Sequence, residues 1–386
     1  METFLSSVRA SMLMPEILGM KPHSFFRSLL FCSYLFGIMI PHFLVSQTVV
    51  DIRGEKFFVN GEPTYRGRTW NGFPIEGLLF NARMVQGIFD DANPETRKLW
   101  QYPDTHSWDP DRNTDEFVQA MDDWRAHGLL AFTLNLQGGS PTGYGNSGWI
   151  NSAFKRNGDL RHDYSMRLDR ILKKADGLGM VVILGLFYFG QDQYLADEAA
   201  VTHAVDNTIV WLFDTGYRNI IIEINNECDV QSYDHSILKA DRVHELIDRV
   251  KRYERYGRRF LVGTSFKGCS IPTQRVVEAS DLILIHGNGA SDPAIITEMV
   301  NKTRQIQGKR RIPIVFNEDD HFGFEKPMNN FVAAVQSYTS WGFFDYRLKG
   351  ETDFHQGYQS VPVDWHISSE RKNGFFNLLK EITAGR

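Results

Sequence analysis

Two apolar runs in this chain end in a glutamate. Residues 219–227 read NIIIEINNE and close on Glu227; residues 312–319 read IPIVFNED and carry Glu318 one position from their end. A carboxylate at the end of a segment that must be buried is costly unless it has a partner or a task. Either glutamate alone reads equally well as a structural ion pair. Two of them brought face to face are the minimum apparatus for cleaving a glycosidic bond with retention: one protonates the leaving oxygen while the other attacks the anomeric carbon, with the carboxyl groups about 5–5.5 Å apart. That chemistry needs two different pKa values. The acid must hold its proton near neutral pH and the nucleophile must stay ionised, and repulsion within a shared site separates them.

The elements that would position these groups alternate along the chain. Short β-branched or aromatic runs occupy residues 64–70, 129–137, 180–189, 219–227, 259–266, 282–288, 312–319 and 341–347. Most are continuously apolar, as parallel strands buried on both faces are. Between them lie stretches of helical period at 115–127, 164–178, 199–215, 239–256, 272–279, 293–307 and 327–340, with a last one at 368–383. Gly128, Gly179, Gly216, Gly257 and Gly308 stand just past helix ends, the expected left-handed stop, and Pro293 suits a first turn. Eight βα units predict an α/β fold, either an open doubly wound sheet or a closed barrel. No GxGxxG or GxxxxGK[ST] follows the first strand, which favours a single (β/α)8 barrel over a nucleotide-binding sheet. Residues 49–63 read as an N-terminal β-hairpin turning near Arg53 and Gly54, and residues 71–113 as a long insertion after strand 1. In such a barrel the active site lies at the C-terminal ends of the strands. This reading places Glu227 at the end of strand 4, Glu318 at the end of strand 7, and Arg68 at the end of strand 1, where it would either help keep Glu318 charged or serve as a structural ion-pair partner.

At these residues the chain resembles the glycoside hydrolase clan A superfamily, and within it glycoside hydrolase family 5. The resemblance rests on IIIEINNE, on PIVFNED, on the opening FFVNGEPTYRGRTW, and on His286 at the end of strand 6; it spans roughly residues 50–385. It implies Glu227 as acid/base, Glu318 as nucleophile, Asn226 on the sugar 2-hydroxyl and His286 lining the adjacent subsite. The sequence departs from the family pattern in four places. Cys228 follows the Asn-Glu pair where proline is usual, strand 2 ends Asn135-Leu136-Gln137 without arginine, Asn288 stands where a tyrosine is expected, and Tyr346 where strand 8 carries tryptophan. The pattern is that of a divergent member. Rings at or after strand ends, among them Trp70, Trp149, Tyr188, Phe322, Tyr346 and Trp365, are candidates to stack on a sugar's C–H face.

Composition narrows the alternatives. The 386 residues are 42% hydrophobic and 23% charged, with a net charge of -5 spread over both signs, so no basic stripe points to nucleic acid. The 13% aromatic content leans toward carbohydrate. Residues 28–45 are almost wholly apolar, follow Lys21 and Arg27, and precede Ser46-Gln47; they read as a secretory signal spanning residues 1–46, with Met20 a possible true start. The catalytic domain would then be 47–386, exported, without stable membrane association; an uncleaved run would be an anchor. Carboxylate chemistry calls for no cofactor, and no metal site is expected. Glu318-Asp319-Asp320-His321 is dense in potential ligands, but strand 1 has no HxH, so a metal-dependent barrel hydrolase is a rival, as is a non-catalytic carbohydrate-binding barrel. Cys228 and Cys269 follow neighbouring strands, and their loops could bring them together.

Overall fold

The computed structural model describes residues 47–144 and 147–384. The signal reading falls on residues outside that range. Among the described residues, eight parallel strands alternate with eight helices: β1 Asn81–Arg83, α1 Pro110–Ala126, β2 Ala131–Asn135, α2 His162–Leu178, β3 Val181–Phe187, α3 Glu198–Thr215, β4 Ile220–Asn225 and α4 His244–Arg252. Then come β5 Leu261–Gly263, α5 Gln274–Ala279, β6 Ile283–His286, α6 Pro293–Gln307, β7 Ile314–Glu318, α7 Asn330–Gln336, β8 Gly342–Phe343 and α8 Glu370–Ala384. Strands β5-β4-β3-β2-β1-β8 form one continuous parallel sheet, and β6 pairs with β7. Parallel bridges Val315–Ser340 and Asp319–Phe343 join β7 to β8. On the other side the Asp281 N–H donates to the Val262 carbonyl at 2.9 Å, joining the start of β6 to β5. The strands thus run in sequence around a (β/α)8 barrel.

Local chemistry accounts for the helix limits. Asp109, Asp197, Asp292 and Asn329 accept from first-turn N–H groups, and Pro110 and Pro293 occupy first-turn positions. Gly179 and Gly216 end α2 and α3 in the left-handed region, where a side chain would be strained. Every residue of β2, β3 and β4 is buried, as the apolar runs required. Outside the barrel wall, α1 buries Phe117, Met121 and Trp124; Trp124 donates its indole N–H to the Trp365 carbonyl at 3.1 Å. Trp365 is itself wholly buried and bonded to Asn113, so it is a core residue and not a sugar platform.

The first strand differs from the sequence reading. Residues 64–70 form a turn and one arm of a two-residue ribbon, Thr69–Trp70 against Phe73–Pro74. The barrel begins instead at Asn81–Arg83, inside LLFNARMV (78–85). Two polar side chains break that run's apolar pattern because both serve the barrel interior: Asn81 donates to the carbonyls of Phe316 and Trp341, and Arg83 reaches the site described below. The long loop after strand 1 therefore starts at residue 84 and includes the one-turn helix Pro94–Arg97. The N-terminal hairpin does form, as Val50–Arg53 against Lys56–Val59, with Glu62–Pro63 added as a third short strand.

Candidate active site

Glu227 lies two residues past the end of β4 with φ +54°, a left-handed conformation that glutamate rarely adopts. Neighbouring backbone holds it there: its N–H donates to Ser265 Oγ at 2.9 Å, and the flanking N–H groups of Asn226 and Cys228 donate to Phe187 and Ser265 carbonyls. Strain of this kind persists where the surroundings over-determine a residue, and functional sites collect it. Glu318 ends β7, and His286 ends β6 opposite it across a register shift. His286 Nδ1 lies 3.0 Å from Glu227 Oε1 and 3.6 Å from Glu318 Oε2. One ligand atom from each of the three residues lies within 4.8 Å of the others, so the two carboxylates face each other across the imidazole.

A buried cation completes the cluster. Arg83 Nε, from the end of β1, stands 2.8 Å from Glu318 Oε2, with side-chain exposures of 1% and 6%. Asn288 donates its amide to Glu318 Oε1 at 2.8 Å. Deeper in the barrel, Glu223 accepts from Asn317 at 3.3 Å, so it serves the interior, as its two-residue offset from the mouth requires. Asn226 Oδ1, Arg83 Nη1 and His286 Nε2 have no hydrogen-bond partner among the described residues, although all three are buried.

The charges act on one another strongly. Burial pushes the Glu318 carboxyl above its ordinary value, against the pull of Arg83 and His286. Burial also pushes Glu227 up, but its hydrogen bond to His286 and the charges of His286 and Arg83 outweigh this and hold it below its ordinary value. Burial pulls His286 down, but Glu318 and Glu227 together raise it above the ordinary 6.5. The cluster thus sets an imidazole and a guanidinium between two carboxyl groups, each shifting the others.

No protein-family model matches the chain, and no curated protein matches it in sequence. Solved structures match it in shape. The endo-1,4-β-mannanase from Rhizomucor miehei superposes with a TM-score of 0.54 at 12% identity, covering 87% of this chain and 99% of that one. The β-mannanase from the blue mussel Mytilus edulis gives 0.52 at 10%, covering 88% and 97%. A glycoside hydrolase family 5 enzyme from Prevotella bryantii B14 gives 0.51 at 10%, covering 79% and 96%. The chain shares its (β/α)8 fold with these enzymes.

Within that fold the sequence-expected residues divide. Glu227, Glu318, His286 and Asn226 come together at the C-terminal mouth. Tyr188, just past β3, is buried beside them and bonds Ser140 Oγ through its hydroxyl at 3.2 Å. Tyr346, after β8, is half-buried at the rim with its ring 5.0 Å from Tyr144. Arg68 and Trp70 do not belong to the site. Arg68 is exposed on the turn beside the N-terminal hairpin, and Trp70 donates its indole N–H to Glu381, near the C-terminus of α8, at 3.0 Å. Both sit at the N-terminal pole, because the segment read as strand 1 is not one. The cation assigned to Arg68 is Arg83. An arginine inside LLFNARMV, two residues after an asparagine, was the available signal, since only a paired guanidinium tolerates such burial. Tyr144 carried no signal of its own, as its loop is irregular, and Asn288 was marked only as standing where the family pattern has a tyrosine.

A metal fits poorly here. Arg83 places a fixed positive charge 2.8 Å from one member of the Glu227–His286–Glu318 set. In the second acidic cluster, Asp319 already accepts from Trp341 Nε1 and Asn330 Nδ2, both at 2.9 Å, and from the His321 N–H at 3.1 Å. Cys228 and Cys269, whose loops could have brought them together, are both free, the first buried and the second exposed.

Proposed function

We propose that this protein is a glycosidase that cleaves a β-glycosidic bond in an oligo- or polysaccharide with retention of configuration, using Glu318 as nucleophile and Glu227 as acid/base. The observation that carries the reading is the pair of carboxylates at the ends of β4 and β7, within 4.8 Å through His286. That spacing suits direct attack by one carboxylate and leaves no room for the water that an inverting enzyme places between its two. Arg83 and Asn288 favour Glu318 as the nucleophile, because they supply a cation and a donor that orient its carboxyl and pull it toward the charged form against burial.

In the first step Glu318 bonds the anomeric carbon while the bond to the leaving oxygen breaks and that oxygen takes a proton from Glu227. In the second, Glu227 removes a proton from water, the hydroxide attacks the anomeric carbon, and Glu318 leaves as carboxylate. His286 Nδ1, one hydrogen bond from Glu227, can relay a proton to it. As Glu318 loses its charge to the new bond, the largest influence raising His286 disappears, which favours passing that proton to Glu227 and on to the leaving group; the proton that Glu227 takes from water in the second step returns to His286. Asn226 Oδ1 and Arg83 Nη1, buried and unpartnered, suit sugar hydroxyls; Tyr188 and Tyr346 line the approach. Export rests on the apolar run at 28–45 and belongs to the same proposal. Among the described residues no helix is long and apolar enough to cross a membrane.

The test is hydrolysis of a panel of β-linked polysaccharides and aryl glycosides by the full chain, followed by NMR. The reading expects the β-anomer to form first and chelator to leave the rate unchanged. A first-formed α-anomer, or activity lost to chelator and restored by a divalent ion, would replace it.

A further inference from the structure

Tyr144 lies on the loop after β2, yet its hydroxyl meets residues that follow β6 and β7. It donates to Asp320 Oδ2 at 3.2 Å and accepts a hydrogen bond from Asn288 Nδ2. The same Asn288 nitrogen donates to Glu318 Oε1 at 2.8 Å. Its ring is set against Tyr346 and Phe344. From these contacts we infer that Tyr144 is a positioning residue, which with Asp320 fixes the Asn288 amide so that its NH2 group faces the nucleophile throughout the catalytic cycle.

The argument is one of donors and acceptors. A phenol has one hydrogen to give, and Asp320, a carboxylate, can only accept it. Tyr144 can therefore only accept from Asn288, which must turn its nitrogen, not its oxygen, toward the phenol. An amide nitrogen carries two hydrogens, and both are used, one on Tyr144 and one on Glu318. While Glu318 is charged, its carboxylate alone would impose this orientation. In the glycosyl-enzyme Glu318 is a neutral ester and that hold weakens. The Asp320–Tyr144 pair keeps the donor in place for the second step, when the carboxylate must re-form as leaving group.

This inference rests on the retaining mechanism proposed above, and its test separates the two. Tyr144→Phe removes the hydroxyl without changing charge; Asn288→Ala removes the donor. On the 2,4-dinitrophenyl β-glycoside that the wild type turns over, where the second step limits, Tyr144→Phe should lower kcat about tenfold and KM with it, as the covalent intermediate accumulates. In an Asn288→Ala background it should change neither. The acid limb of kcat/KM should rise by about half a pH unit in either single variant. The other titratable groups facing Glu318, namely Arg83, Glu227, His286 and Tyr188, are the same throughout, as are Asp319 and His321 beside Asp320. Thermal unfolding of each variant controls for folding. Independently of turnover, carbon-13 NMR should find the Glu318 carboxyl titrating higher in Tyr144→Phe than in the wild type. Unchanged titration and unchanged kcat in a folded Tyr144→Phe protein would overturn the inference while leaving the glycosidase reading intact. Absence of any glycosidase activity in the wild type would overturn that reading, and the NMR titration would still decide the role of Tyr144.

Discussion

The two ends of the barrel hold similar residue types and use them differently. At the N-terminal pole, arginines, glutamates and aromatic rings surround the hairpin, and a cavity of about 570 Å³ opens there among Val49, Leu212, Arg218 and Phe260. Its ion pairs face water: Lys56–Glu76 has side-chain exposures of 44% and 27%, and Arg66–Glu62 is more open still. Such pairs contribute about 0–1 kcal/mol. At the C-terminal mouth, Arg83 and Glu318 are buried together, Glu227 is held in a left-handed backbone, and polar atoms remain unpartnered. There each charge depends on its neighbour, because removing one partner of a buried pair costs about 3–5 kcal/mol. Residue composition alone does not separate the two poles. Buried, mutually dependent charge points to the right one.

Four experiments would break or sharpen that contrast. Glu318→Gln should lower turnover of every substrate by at least roughly 10⁴-fold, whereas Arg68→Ala, its would-be partner at the other pole, should stay within about twofold; steady-state rates on one aryl glycoside decide both. Arg83→Met should cost about 3–5 kcal/mol in denaturant unfolding, because it strands a buried carboxylate, against less than about 0.5 kcal/mol for Arg68→Met. The third concerns His286, whose folded pKa lies above 6.5. A base raised on folding gives stability that is fully present below about 6.5 and is lost as pH rises through the folded value. The wild type should therefore lose stability over that interval, and His286→Gln should flatten the profile; an unflattened profile would assign the loss to another group. The smallest effect belongs to Trp70→Phe, which gives up one indole hydrogen bond to Glu381, about 0.5–1.5 kcal/mol, and should leave kcat/KM untouched.

Much of the barrel was legible because its strands are buried on both faces and so read as continuous apolar runs. β2 to β7 all fall inside the segments read as strands, and α6 matches to the residue. Glu227 and Glu318 were legible for the same reason, as carboxylates ending apolar runs, and His286 through the family resemblance. β1 was not. It is three residues long, and Asn81 and Arg83, turned into the barrel, give it the look of a loop, while TYRGRTW has strand-like composition but turns at Gly67. One misplaced strand carried Arg68 and Trp70 into the site and kept Arg83 out. The contact of Tyr144 with Asn288 joins loops 144 residues apart, and no local pattern encodes it.

The central claim is the division of labour between the two glutamates, and azide rescue of their alanine variants tests it most directly. In Glu318→Ala azide can take the place of the missing nucleophile on the far face of the sugar, so the account predicts an α-glycosyl azide and near-complete inactivity without azide. In Glu227→Ala the covalent intermediate still forms from aryl glycosides with acidic phenols, and azide should resolve it to the β-glycosyl azide, with natural linkages left uncleaved. An α-azide from Glu227→Ala would reverse the two roles, and full activity in both variants would make the pair structural.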